Sequence, residues 1–116
     1  VFYSLRGEKM ILCSEAEIGE EQAKGFTINP ELQIFVVRKD GQLSVYENRC
    51  PHLGIPLEMM PNQFLDRDKS FIQCSTHGAL FQIDNGLCVA GPCSGASLRQ
   101  FAFVLRDGNI HIELNE

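Results

Sequence analysis

Long apolar runs are missing from this chain of 116 residues, the longest spanning only a few positions. That excludes a membrane-spanning helix, which needs about 20. Positive charge is also in deficit: ten Lys and Arg against fifteen Asp and Glu leave a net charge of −5, and no basic stripe alternates with aromatic residues. Nucleic-acid binding is disfavoured, because phosphate neutralisation supplies most of that affinity. No secretory signal is recognisable in Val1-Phe2-Tyr3-Ser4-Leu5-Arg6, and the five Cys are an odd number, so they cannot all pair within one chain. The expectation is a cytoplasmic protein in a reducing compartment, where Cys and His more often hold metals or carry out redox chemistry than staple a fold. Internal repeats, low-complexity tracts and flavin or nicotinamide signatures are absent too.

What is present is a composition close to the globular average, 44% hydrophobic and 22% charged, at a length suited to one domain over residues 1–116. Lys9-Met10-Ile11-Leu12-Cys13 reads as a strand, and Ser14 with Glu17 has the spacing of a capping box, opening at most one helical turn before a loop over Glu20 to Lys24. Gly25 to Ile28 reads as extended. Gln33 to Arg38 and Leu43 to Glu47 flank Lys39-Asp40-Gly41-Gln42, a strong hairpin signal. The same device recurs at Arg106-Asp107-Gly108-Asn109, between runs Leu98 to Leu105 and Ile110 to Leu114, and Asp84-Asn85-Gly86 marks another turn after Ala79 to Gln82. Short runs punctuated by turns predict an all-β fold, an antiparallel sandwich or partly open barrel. Residues 49–97, rich in Cys, His, Gly and Pro, read as a loop-dominated subdomain inserted between its strands.

Within that insert, two chelating clips stand out: Cys50-Pro51-His52 and, after 21 residues (53 to 73), Cys74-Ser75-Thr76-His77. Each clip places two ligands on one tight loop, so gathering four ligands reduces to joining two loops. Cys13 reads as buried packing, and His111, between Ile110 and Ile112, as facing solvent. Cys88 and Cys93 could pair or place a thiol near the metal, but two inert buried thiols is the simpler reading. Zinc accepts two Cys and two His, yet the common finger takes both Cys from one clip. Mixed clips suit a two-iron cluster gripped from both sides, with both Cys able to bind one iron and both His the other.

Cys50-Pro51-His52-Leu53-Gly54-Ile55-Pro56-Leu57 and Cys74-Ser75-Thr76-His77-Gly78-Ala79-Leu80-Phe81, followed by Asp84-Asn85-Gly86 and Gly91-Pro92, resemble the Rieske 2Fe-2S family. More narrowly, the chain is similar to the soluble Rieske ferredoxins of bacterial aromatic-ring dioxygenase systems, from roughly Lys9 to Leu114 in plan. The resemblance implies a 2Fe-2S cluster with Cys50 and Cys74 on one iron, His52 and His77 on the other, and a Pro loop at Gly91-Pro92 covering one side. It departs from the family in a longer stretch from His52 to Cys74, with the surplus in Met59 to Asp68.

Two neutral imidazoles in place of two thiolates make the oxidised cluster formally neutral, which raises its potential into a range of roughly −150 to +300 mV. High-potential members resemble one another in a disulfide and in a Ser and a Tyr that donate to cluster sulfurs. Here Ile55 and Ser75 occupy the disulfide positions, Ala79 replaces the Ser and Phe81 the Tyr. The expected potential is therefore at the low end. Four protein ligands leave no site for a substrate. The resemblance implies a carrier rather than an enzyme, passing one electron from a flavoprotein reductase to a terminal oxygenase. Docking is expected to be transient at the His52 and His77 end, with Leu53, Ile55 and Pro92 as an apolar rim, and the carrier to be a monomer. The alternatives are a small component of a nitrite reductase-like enzyme, a structural zinc module, or the Rieske domain of an oxygenase subunit, which would require a mononuclear iron domain downstream.

Overall fold

β-branched and aromatic runs separated by Gly and Asp turns favour short, half-buried strands over helices. The computed structural model describes residues 6–51, 54–76 and 78–115. Its strands are β1 (Arg6–Ser14), β2 (Gln22–Asn29), β3 (Leu32–Lys39), β4 (Gln42–Glu47), β5 (Phe71–Gln73), β6 (Leu80–Gln82), β7 (Cys88–Ala90), β8 (Gln100–Phe101), β9 (Phe103–Arg106) and β10 (Asn109–Asn115). They form three antiparallel sheets, ordered β1-β10-β9, β2-β3-β4-β8 and β5-β6-β7, none closed into a barrel. The third sheet is built entirely from chain lying between β4 and β8. Among the described residues no helix is long and apolar enough to cross a membrane.

The two Asp-Gly turns behave as their sequence requires. Asp40 and Gly41 have φ of 54° and 77°, and Asp107 and Gly108 have 54° and 77°. Positive φ at both central residues is the type I′ pattern, whose twist matches that of paired strands. Ser14 caps a single 3-10 turn over Glu15–Glu17, with Ser14 N–H donating to Glu17 Oε2 at 3.2 Å.

Two expectations change. The polar stretch Gln22 to Lys24 is strand rather than loop, pairing with Arg38 to Val36 at a sheet edge where polar side chains can stay wet. The run Leu98 to Leu105 is not one strand. β8 joins β4 in one sheet, β9 joins β10 in another, and the chain changes sheets at exposed Ala102, whose carbonyl accepts Glu113 N–H at 3.1 Å.

Side-chain alternation on β3 then divides the core. Ile34 and Val36 enter one cluster with Cys13, Ile18, Phe101, Ile110 and Ile112. Phe35 and Val37 enter a second, together with Tyr46, Leu57, Phe64, Ile72 and Phe81. All four β3 residues have 0% exposure, so this strand is covered on both faces. Cys13 is buried packing, as expected, whereas His111, expected to face solvent, is half-buried between fully buried Ile110 and Ile112. The long stretch before β5 is pinned rather than loose. Phe64 stacks on Phe35 with ring centroids 4.2 Å apart and planes 7° apart, and Asn62 Oδ1 accepts Gly25 N–H at 2.8 Å. Burying such a phenyl ring is worth about 1.5–3 kcal/mol.

Candidate metal centre

The second core cluster ends in two cysteine loops with the same backbone frame. In the first, following β4, Gly54 N–H donates to Cys50 O at 2.7 Å, while Cys50 N–H donates to Ile55 O at 2.7 Å. In the second, following β5, Gly78 N–H donates to Cys74 O at 2.8 Å, and Cys74 N–H donates to Ala79 O at 2.9 Å. Each loop reverses through a glycine four residues after its Cys, at φ of 71° for Gly54 and 70° for Gly78. An L-residue pays for that left-handed backbone and glycine does not. The shared Cys-x-x-x-Gly spacing was the sequence signal for this frame, although the clips alone did not reveal that the loops are copies.

Ser75 N–H donates to Leu57 O at 2.8 Å, tying the second loop to the chain that leaves the first. That chain is held by Asn48, whose side chain is buried beneath it. Asn48 Oδ1 accepts Leu57 N–H at 2.7 Å, its Nδ2 donates to Glu58 Oε1 at 2.6 Å, and its backbone N–H donates to Gln33 O at 2.7 Å. Behind the second loop, Gly91 sits at φ +100°, so close that a Cβ there would lie 2.8 Å from Ala79 Cα.

Cys50 and Cys74 are both free thiols with 0% exposure, whereas Pro51, Gly54, Ser75, Thr76, Gly78 and Pro92 beside them are exposed. Two thiols therefore lie under a solvent-facing rim. Buried free thiols on paired loops are the soft donors an iron-sulfur cluster takes, so this half of the donor set fits one. The other expected ligands, His52 and His77, lie outside the described residues, as does Leu53 of the rim. Among the described residues no group of three Cys, His, Asp or Glu could hold a metal ion without them.

The surroundings lack hydroxyl donors at the expected places. Ala79 and Phe81 are fully buried. The nearby phenol of Tyr46 is committed elsewhere, donating to Ile83 O at 2.6 Å, and burial pushes it up to about 12. Cys88 and Cys93 are buried, as expected, but they are not separate. The Cys93 thiol donates to Cys88 Sγ at 3.1 Å. Burial first, and then Cys88 and Cys50, push the Cys93 thiol up.

Residues 8–104 match the family described as Rieske [2Fe-2S] domain. The chain is 24% identical over 108 residues to a 3-phenylpropionate/cinnamic acid dioxygenase ferredoxin subunit of Photorhabdus laumondii subsp. laumondii, covering 93% of this chain and 96% of that protein. Among solved structures, one of the reduced complex between oxygenase and ferredoxin in carbazole 1,9a-dioxygenase is similar with a TM-score of 0.81 at 22% identity. The match covers 97% of this chain, which spans 30% of the length of the chain matched. A complex of reduced oxygenase and oxidized ferredoxin from the same dioxygenase matches with a TM-score of 0.76 at 18% identity, over 93% of this chain and 94% of that one.

Proposed function

The chain belongs to the Rieske [2Fe-2S] family, and from that premise we propose a one-electron carrier in which Cys50 and Cys74 hold one iron of the cluster and His52 and His77 the other. The family's cofactor is a 2Fe-2S cluster, which displaces the zinc reading. When bound, it supplies storage for a single electron. The observation that carries the proposal is the repeated frame, which sets one buried free Cys at the same point of each of two loops.

The residues around the loops divide the remaining work. The hydrogen bonds within each loop fix the cysteine backbones, so the thiolates need little rearrangement as charge changes. Phe64, Phe81 and Leu57 exclude water from the buried side. With Ala79 and Phe81 offering no hydroxyl, the potential lies at the low end of the range. The exposed residues Pro51, Gly54, Ser75, Thr76 and Pro92 leave this end of the molecule open to partners. The ferredoxin-subunit relative of a dioxygenase, matched over 96% of its length, supports an acceptor that is a terminal oxygenase; the donor in this reading is a flavoprotein reductase. The carrier is not itself an enzyme, and acts as a cytoplasmic monomer. Its net charge of −5 steers it toward basic partner surfaces, so encounter slows as salt is added.

The test is to purify the protein under reducing conditions and compare it with Cys74→Ser and His77→Ala. The expected protein is brown, gives an EPR signal on reduction, titrates below zero millivolts, and passes one electron from a reductase to an oxygenase. Both variants lose the colour. A colourless protein with one zinc per chain, or a midpoint well above zero, overturns the corresponding part of the reading.

A further inference from the structure

Cys88 and Cys93 meet inside a short loop that closes on itself. Cys88 N–H donates to Ala96 O at 2.8 Å and Cys88 O accepts Gly95 N–H at 3.1 Å, forming the neck. Within it, Ala96 N–H donates to Cys93 O at 2.9 Å, and Ser94 Oγ donates to Gly91 O at 2.9 Å. The backbone leaves both side chains turned inward, with the sulfurs 3.1 Å apart and Cys88 Sγ donating to Ala90 O at 3.2 Å. A disulfide has its sulfurs about 2.05 Å apart, so bond formation asks for about 1 Å of approach. Cys93 is the more accessible, 8% exposed against 2% for Cys88, and its neighbours Pro92, Ser94 and Gly95 face solvent.

We propose that Cys88 and Cys93 are a reversible disulfide site, which hydrogen peroxide oxidises to a cystine that fastens the 88–96 loop. Once Cys93 gives up its proton, its sulfur attacks one peroxide oxygen as the thiolate and breaks the O–O bond. The hydroxide that leaves takes up the thiol proton as water, and Cys93 becomes a sulfenic acid. Cys88 sulfur then displaces the sulfenic hydroxyl, which leaves as a second water with the Cys88 proton, and the S–S bond forms. Two electrons pass from the two sulfurs to the peroxide. A second thiol within reach is what diverts a sulfenic acid from further oxidation. Cys13, in the other core cluster, has no such partner among the described residues.

The experiment treats the cluster-loaded protein with hydrogen peroxide, quenches it with an alkylating reagent in denaturant, and locates unmodified cysteines by peptide fragmentation. The expected result is that Cys88 and Cys93 escape alkylation together, with the loss of two hydrogens, and that dithiothreitol restores both. Cys13 remains alkylated throughout. Cys93→Ser shows no cross-link. Cys93 oxidised to sulfinic acid without a cross-link, or cross-linked to Cys50, overturns the site. The pairing does not depend on what the loops hold. A cross-link in protein that binds no iron therefore counts against the carrier reading and leaves the site standing.

Discussion

The loop from Cys50 to Ile55 is backed by polar groups, whereas the loop from Cys74 to Ala79, besides the hydrogen bond of Ser75 N–H to Leu57 O, is backed by a close backbone contact. Behind the first, the buried amide of Asn48 satisfies Leu57 N–H and Glu58 at once. Behind the second, Gly91 lets one backbone lie directly on another at Ala79. The same frame can thus be supported through hydrogen bonds, which fail when a partner is lost, or through a close approach, which fails when an atom is gained.

Variants that attack each mooring separate the two modes. The largest effect belongs to Gly91→Ala, because the added Cβ would meet Ala79 Cα at 2.8 Å at a φ of +100°. The expected cost is about 3 kcal/mol in denaturant unfolding, accompanied by loss of bound iron. A cost below about 1 kcal/mol would show that the second loop yields and is not held by contact. Next comes Asn48→Ala, which leaves Leu57 N–H without its partner inside the protein. It costs about 2 kcal/mol by the same measurement. If stability and iron content are unchanged, the polar mooring of the first loop is not needed. The smallest effects are those of Gly54→Ala and Gly78→Ala, both at φ near 70°. Among the described residues nothing lies within 4 Å of a Cβ at Gly78, and at Gly54 the nearest atom, 3.1 Å away, is the tip of the Arg49 side chain. Each costs about 1 kcal/mol from backbone alone. Matching values sharpen the likeness of the frames, and values differing severalfold break it.

The turns were legible because an Asp-Gly pair specifies its own backbone, and Asp40-Gly41 and Asp107-Gly108 adopt one conformation without help from distant contacts. The cysteine clips were legible through their spacing, and the family match agrees with the cluster they suggested. Other features depend on contacts that local sequence does not encode. Gln22 to Lys24 look like loop until an edge position beside β3 makes a polar strand acceptable. Leu98 to Leu105 look continuous, and only the placement of two different neighbours, β4 and β10, divides them. The five-residue separation of Cys88 and Cys93 likewise conceals the loop neck that turns them together.

The change of sheets at Ala102 bears on how the molecule opens. Phe101 and Phe103 stand two positions apart on different sheets, yet both contribute to the core cluster formed with Ile34, Val36, Ile110 and Ile112. Fraying of β9 from β10 would drag on the β8 pairing with β4, because no slack chain separates them. Amide hydrogens of the two sheets should then exchange with solvent as one cooperative unit, rather than as two layers opening in turn.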